Sequence, residues 1–136
     1  MQPWVLRLAP GNDLVEALED ARKAQGWTAV FITAGIGSLD GAQLRFADQR
    51  EPTAIAGPLE LVSLSGTLSL DGPHVHASVA DAQGRVYGGH LKAGGATVRT
   101  TAEILLTELT DVVFRRRLDV RTGYRELVIE PRQAPR

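Results

Sequence analysis

Residues 72–91 contain all three histidines of the chain, and the run DAQGR at residues 81–85 lies at their centre. This run is typical of a three-residue hairpin loop, a type I turn followed by Gly84 in the left-handed conformation. With Asp81 opposite Arg85, counting outward along the strands places His76 opposite His90. His74 is two residues before His76 and points to the same side, because side chains alternate along a strand. The segment therefore predicts a β-hairpin with three imidazoles on one face.

The predicted register depends on the loop length. A two-residue loop at Gln83 and Gly84 would shift the pairing by one residue and send His90 to the opposite face. The longer loop separates the side chains into a core-like face and a polar face. The core-like face holds Val75, Ala77, Val79, Tyr87 and Leu91, and the polar face holds the histidines with Ser78 and Gly88. This separation favours the longer loop.

Three neutral imidazoles on one face suit zinc or another divalent ion and leave a fourth coordination position open. His74, His76 and His90 are the candidate ligands. Ser78 and Glu103 are candidates to support them, Ser78 from the same face and Glu103 from a neighbouring strand. The alternative is that the histidines are solvated or hydrogen-bonded side chains without a metal, because a His-x-His pattern also arises by chance.

The rest of the chain predicts an α+β fold, a largely antiparallel β-sheet of hairpins packed with one main α-helix at about residues 13–25. Asn12 is the expected N-cap of the helix and Gly26 its C-terminal stop. Strands are predicted at residues 3–9, 27–39, 42–47, 57–70, 112–119 and 125–130. Residues 97–109 fit both helix and strand, and their β-branched start favours strand. We expect a single domain over residues 1–130 and a disordered tail at 131–136.

Residues 57–70 alternate between apolar and hydroxyl side chains. The apolar row, predicted to face the core, comprises Val62, Leu64, Leu68 and Leu70. The hydroxyl row comprises Ser63, Ser65, Thr67 and Ser69. Three interpretations of the hydroxyl row stay open: it is solvated, it lines a pocket, or it faces another subunit.

Charge and motifs exclude several classes of function. The formal net charge of −1 gives no overall attraction to nucleic acid or to a membrane surface, and no long apolar segment occurs. The absence of cysteine excludes disulfide and thiol chemistry, and we expect a cytoplasmic protein. Gly35 and Gly37 lack the third glycine and the following helix of a dinucleotide-binding loop, so they predict a bulge or a close backbone contact. No GxSxG nucleophile motif is present.

The chain resembles the PPC domain, the plants and prokaryotes conserved domain. The resemblance is carried by LAPGNDL, FITAGIGSL, GPLELVSLSGTLS, HVHASVADAQGRVYGGHL and TGYRELVI, which follow one another over nearly the whole chain. It implies a β-rich fold that assembles as a homotrimer, and prokaryotic members often carry the label "putative DNA-binding protein". The chain has no AT-hook, the Arg-Gly-Arg-Pro element that holds DNA in plant members.

The resemblance also indicates candidate sites. Members with the His-x-His and Gly-Gly-His elements look like metal binders, which points to His74, His76 and His90. The partner-binding hexapeptide of plant members aligns with Gly57, Pro58, Leu59, Glu60, Leu61 and Val62. The leading hypothesis is a stand-alone trimeric protein that binds a divalent metal, with zinc as the first choice, and serves ligand or partner binding. A DNA-associated regulator and a metal-dependent enzyme acting on a small substrate are the alternatives.

Overall fold

The computed structural model describes residues 1–133, which form one helix and seven strands. In chain order they are β1 (Gln2–Leu8), α1 (Leu14–Gln25), β2 (Ala29–Arg45), β3 (Thr53–Ser69), β4 (Gly72–Ala80), β5 (Val86–Glu108), β6 (Val112–Leu118) and β7 (Arg125–Pro131). All strand pairs are antiparallel. The predicted α+β class is confirmed, with the sheet dominating.

The main sheet has the order β1-β5-β2-β3-β4, and β5 also pairs with β4. This double pairing is possible because β5 is 23 residues long. Its first residues pair with β4, its last residues pair with β1, and β2 runs along most of its other edge. The sheet therefore closes on itself around a core of aliphatic side chains, and the histidines lie on its outer face.

Helix α1 packs its apolar stripe against the inner side of the sheet. Leu14 and Leu18 are fully buried, and burying each stabilises the fold by roughly 1.5–3 kcal/mol. The predicted N-cap was wrong by one residue. The cap is Asp13, whose Oδ1 accepts a hydrogen bond from the Glu16 N–H at 2.9 Å, whereas the Asn12 side chain accepts from the Ala9 N–H in the preceding turn.

Several strands are longer than the sequence predicted. The strands predicted at residues 27–39 and 42–47 form one strand, β2 (Ala29–Arg45), because a register shift between Leu39 and Gly41 absorbs the irregular residues. Strand β3 begins at Thr53, four residues before the predicted start at residue 57. Residues 97–109 are strand through Glu108, as their β-branched start favoured.

The predicted apolar row of β3 is correct for Leu64 and Leu68, which are buried, and wrong for Val62 and Leu70, which are exposed. Leu70 lies one residue beyond the end of β3. For Val62, the cause is a register shift between Leu61 and Ser63 in the pairing with β4. One extra residue at such a bulge reverses the inside–outside alternation. As a result Leu61 takes the inner position that Val62 was expected to occupy.

Strands β6 and β7 form a separate two-stranded ribbon that is attached to the main sheet through β6. Phe114 is buried, its ring packs edge-on against Phe31 at 5.8 Å, and its backbone N–H donates to the Thr28 carbonyl. The Arg116 N–H donates to Asp71 Oδ2 at 3.0 Å in the turn between β3 and β4. These contacts place the ribbon beside the histidines.

Strand β7 ends at Pro131, one residue past the predicted domain boundary at residue 130. Pro131 pairs with Val112 in the ribbon, and the Arg132 N–H donates to the Asp111 carbonyl. Residues 134–136 of the predicted tail lie outside the described residues. Within residues 1–133, the single helix is too short to cross a membrane.

Gly35 and Gly37 lie where neighbouring strands approach closely. A Cβ at Gly35 would meet the Leu64 side chain at 2.9 Å, and one at Gly37 would overlap the Thr101 carbonyl. The close-contact interpretation of these glycines is therefore confirmed.

Candidate metal centre

The loop between β4 and β5 has the predicted conformation. The Asp81 N–H donates to the Arg85 carbonyl at 2.9 Å, and Gly84 has a φ of 79°. The Asp81 carboxylate fixes the turn by accepting hydrogen bonds from the backbone N–H groups of Gln83 and Arg85, both at 3.0 Å, and from Arg85 Nε at 2.8 Å. This loop sets the register in which His76 faces His90.

The three imidazoles converge on the outer face of the sheet. Ring centroids are 4.9 Å apart for His74 and His76, 5.3 Å for His74 and His90, and 5.8 Å for His76 and His90. One nitrogen from each ring lies within 4.8 Å of the other two. A tetrahedral zinc site, with Zn–N bonds of 2.0–2.1 Å, needs ligand nitrogens roughly 3.4 Å apart. A bound zinc ion would therefore draw the three nitrogens closer together than the 4.8 Å within which they lie.

The electrostatic environment keeps two of the rings neutral. Burial, followed by the charge of Arg45, lowers the pKa of His90 to about 4. Burial and the neighbouring Arg116 guanidinium lower the pKa of His74 as well. A neutral imidazole has a lone pair available for a metal, whereas an imidazolium does not. Both rings are therefore in the ligating form at neutral pH.

His90 Nδ1 is buried and has no hydrogen-bond partner among residues 1–133. An unsatisfied buried polar atom costs roughly 1–3 kcal/mol, and a metal ion is one group that can satisfy such a nitrogen. The donor set of three converging imidazoles with this unpartnered atom fits a divalent ion of the zinc type.

A cleft of about 430 Å³ opens on one side of the histidines. Its lining includes His76, His90, Arg45, and the hydroxyl-bearing residues Ser63, Ser65 and Ser78. Ser63 pairs with Ser78 across β3 and β4, and Arg45 pairs with His90 across β2 and β5. Ser78 thus lines the same cleft as His76 and His90, and part of the hydroxyl row lines a pocket. Support of the metal ligands by Ser78 stays a prediction.

A second cleft, of about 320 Å³, lies on the other side and separates the histidines from the ribbon. Arg116 Nη2 donates to Thr67 Oγ1 at 2.7 Å and lies 3.4 Å from His74 Nδ1. Glu126 also lines this cleft with His74 and His76. Sequence patterns did not indicate Arg116 or Glu126. Strand alternation separates Arg116 from its two arginine neighbours but does not show which residues Arg116 contacts.

Glu103 lies far from the three histidines in the fold. It pairs with Ile36 in β2, whereas His90 pairs with Arg45. The nine positions between Ile36 and Arg45 correspond to about 30 Å along an extended strand. The fold of one chain therefore does not bring Glu103 to the histidines.

Residues 57–62 alternate between the core and the surface. Leu59 and Leu61 are buried, while Gly57, Pro58, Glu60 and Val62 are exposed. The two buried residues of the hexapeptide have a structural role in the core. Partner binding through the four exposed residues stays a prediction.

Residues 1–110 match the family defined as the Plants and Prokaryotes Conserved (PCC) domain. The chain belongs to this family. The same family is the one that the sequence resembles, and its abbreviation is also written PPC. The match covers helix α1 and all five strands of the main sheet, including the three histidines.

Among curated proteins, the chain is similar to "Bifunctional protein GlmU" from Synechococcus sp. (strain JA-3-3Ab), with 46% identity over 130 residues. That match covers 96% of this chain but only 21% of the relative. The chain thus spans about one fifth of the length of that relative.

Three solved structures share the fold over nearly their whole length. A hypothetical protein from Salmonella cholerae-suis has 38% identity and a TM-score of 0.93, with coverage of 97% of this chain and 95% of that one. A metal-containing protein from Archaeoglobus fulgidus has 31% identity and a TM-score of 0.82, with 94% of each chain covered. A "putative DNA-binding protein" from Ralstonia eutropha has 25% identity and a TM-score of 0.79, with 91% of this chain and 89% of that one covered.

Proposed function

We propose that this PPC-domain protein binds a divalent metal, most simply zinc, through His74, His76 and His90, and that the metal serves ligand or partner binding. The convergence of three imidazole nitrogens within 4.8 Å carries the proposal. Similarity to the metal-containing protein of Archaeoglobus fulgidus supports it. A bound ion would supply a Lewis-acidic position open to an exogenous ligand, since the chain offers three imidazoles and zinc takes four ligands.

Isothermal titration of metal-stripped protein with zinc tests the proposal. We expect one zinc per chain, and a loss of affinity of at least roughly a hundredfold in His76→Ala, because even outer groups that only support a ligand contribute ten- to a hundredfold. Thr97→Ala, an exposed substitution on β5, is the matched control and should bind zinc normally. Equal affinity in His76→Ala and the wild-type chain would refute the assignment.

We also propose that the chain self-associates, as the homotrimer that the family resemblance implies. The outer face of the sheet exposes apolar side chains, with Val5 77% and Ile36 57% accessible. Val5 pairs with Leu105, and Leu105 with Ala34, so the group is continuous across β1, β5 and β2. Exposed apolar groups of this kind mark association surfaces. Light scattering after size exclusion should give a mass three times that of one chain, and Ile36→Lys should lower the measured mass.

DNA binding is the second candidate function, and similarity to the Ralstonia protein favours it. Contacts to phosphates release counterions, so duplex binding must weaken steeply as salt rises. Fluorescence anisotropy with a labelled duplex at low and physiological salt tests this candidate. No binding at low salt would exclude it.

An enzymatic role would need a proton-accepting group near the metal. Glu126, which lines the second cleft with His74 and His76, is the acidic residue in that position. If the wild-type protein has hydrolytic activity, Glu126→Gln should lower that activity while binding zinc normally.

A further inference from the structure

Two adjoining clefts beside His90 are lined by positive side chains. The 430 Å³ cleft and a smaller one of about 200 Å³ share Arg45 and His90. Arg50 and Lys92 line the smaller cleft. No Asp or Glu of the described residues lines either cleft. This part of the surface thus concentrates positive charge in a chain whose formal net charge is −1.

Arg45 is held in place without a carboxylate partner. Its Nη1 donates to the Gln49 carbonyl at 3.2 Å, across the turn that follows β2. Within residues 1–133, no Asp or Glu forms a salt bridge with Arg45, Arg50 or Lys92. A positioned guanidinium with unused N–H groups is the side chain best suited to bind a carboxylate or a phosphate.

The same cleft offers neutral donors and free space. Among residues 1–133, the hydroxyls of Ser63, Ser65 and Ser78 form no hydrogen bonds, and all three line the 430 Å³ cleft. Gly88 and Gly89 form part of the wall, so no side chain fills the volume beside the imidazoles. A volume near the lower end of the usual range of roughly 300–1,000 Å³ selects for small molecules.

We propose that this cleft binds a small oxyanion, a carboxylate or a phosphate group. One anion oxygen would occupy the open position of the metal, while Arg45 and the serine hydroxyls hold the others. The inference rests on the proposed metal site, because the histidines provide the inner end of the cleft. Arg45 is then a specificity-determining residue that selects negatively charged ligands.

Cobalt(II) bound in place of zinc provides a direct readout, because its visible absorption bands change when an anion enters the coordination sphere. Cobalt-loaded wild-type protein is titrated with malonate in one arm and with inorganic phosphate in the other, with sodium chloride at matched ionic strength as reference. We expect a saturable spectral change with at least one oxyanion and not with chloride. Malonate alone would identify a carboxylate ligand, and phosphate alone a phosphate-bearing one.

Variants of Arg45 test the residue assignment. Arg45→Gln should bind cobalt with normal stoichiometry but weaken oxyanion binding roughly tenfold to a hundredfold, the range for a hydrogen bond to a charged group. Arg45→Lys keeps the charge and should retain part of the affinity. Arg99→Gln, an exposed arginine elsewhere on β5, is the matched control and should bind both metal and anion normally.

The possible failures are distinguishable. A protein that does not take up cobalt refutes the metal site itself. A protein that binds cobalt, yet shows no saturable change with malonate or phosphate, refutes the oxyanion inference alone. Equal oxyanion affinity in Arg45→Gln and wild type removes Arg45 from the site.

Discussion

Two neighbouring glycines precede His90, and the structure predicts opposite consequences for replacing them. A Cβ added at Gly89 would lie 2.8 Å from the Arg45 carbonyl oxygen and 3.2 Å from the Leu44 Cβ. A Cβ added at Gly88 would meet the Ala77 carbonyl oxygen only at 3.6 Å and Ser78 Oγ at 3.7 Å, which is ordinary contact. Gly89→Ala must therefore push β5 away from β2, whereas Gly88→Ala need not move anything.

The expected magnitude follows from the atoms involved. Backbone atoms of β2 cannot rotate away as a flexible side chain can, so Gly89→Ala should cost about 1–3 kcal/mol of unfolding free energy, the usual range for overpacking. For a domain of this size that corresponds to a Tm lowered by roughly 4–12 °C. Gly88→Ala should be neutral or stabilising by up to about 1 kcal/mol, because it reduces the entropy of the unfolded chain.

Urea and thermal unfolding at equal protein concentration measure both variants. Because Arg45 pairs with His90, Gly89→Ala should also weaken zinc binding, in parallel with its loss of stability. If the two variants unfold at the same temperature, the close approach of β2 and β5 beside the histidines is wrong.

Three further predictions concern single side chains. In metal-free protein, the His90 ring should titrate near pH 4 by NMR, since burial lowers its pKa to about 4. An unfolded histidine titrates near 6.5, so the free energy of unfolding should fall as the pH drops from 6.5 to 4. A titration midpoint near 6.5 would contradict the burial argument. Hydrogen bonding from the Arg116 N–H lowers the pKa of Asp71 in the folded protein. The stability that this hydrogen bond adds is therefore present above the unfolded pKa of Asp71, about 3.9, and is lost as the pH falls through the lower folded pKa. Asp71→Asn should therefore destabilise the protein to urea at pH 7, with a deficit that shrinks in acid; a deficit independent of pH would point to another cause. Glu103→Gln should leave zinc affinity unchanged within about twofold by calorimetry, because Glu103 lies far from the cluster, and a larger loss would show that Glu103 reaches it, for example from another chain.

The histidine hairpin could be predicted because its determinants are local. Loop length and Gly84 set the register within twenty contiguous residues, and alternation then places each imidazole. Features that depend on non-local contacts were missed. Arg116 reaches His74 only because the ribbon is anchored at Asp71, and no local pattern shows that attachment.

Bulges account for most of the other differences. Alternation predicts which side chains are buried only while a strand stays regular. The register shift between Leu61 and Ser63 buries Leu61 and exposes Val62, the reverse of the prediction. A long strand interrupted by bulges also looks, in sequence, like two strands and a turn, as in β2. Glu103 was selected by residue type alone, without a register to place it, and it pairs far along β2 from the histidines.

A crystal structure of zinc-loaded protein, with anomalous scattering recorded at the zinc edge, would show whether the three histidines hold the ion. We expect one strong peak per chain, bonded to nitrogens of His74, His76 and His90. Zinc-loaded crystals with no peak among these three rings, or with His90 turned away from a metal held elsewhere, would contradict it.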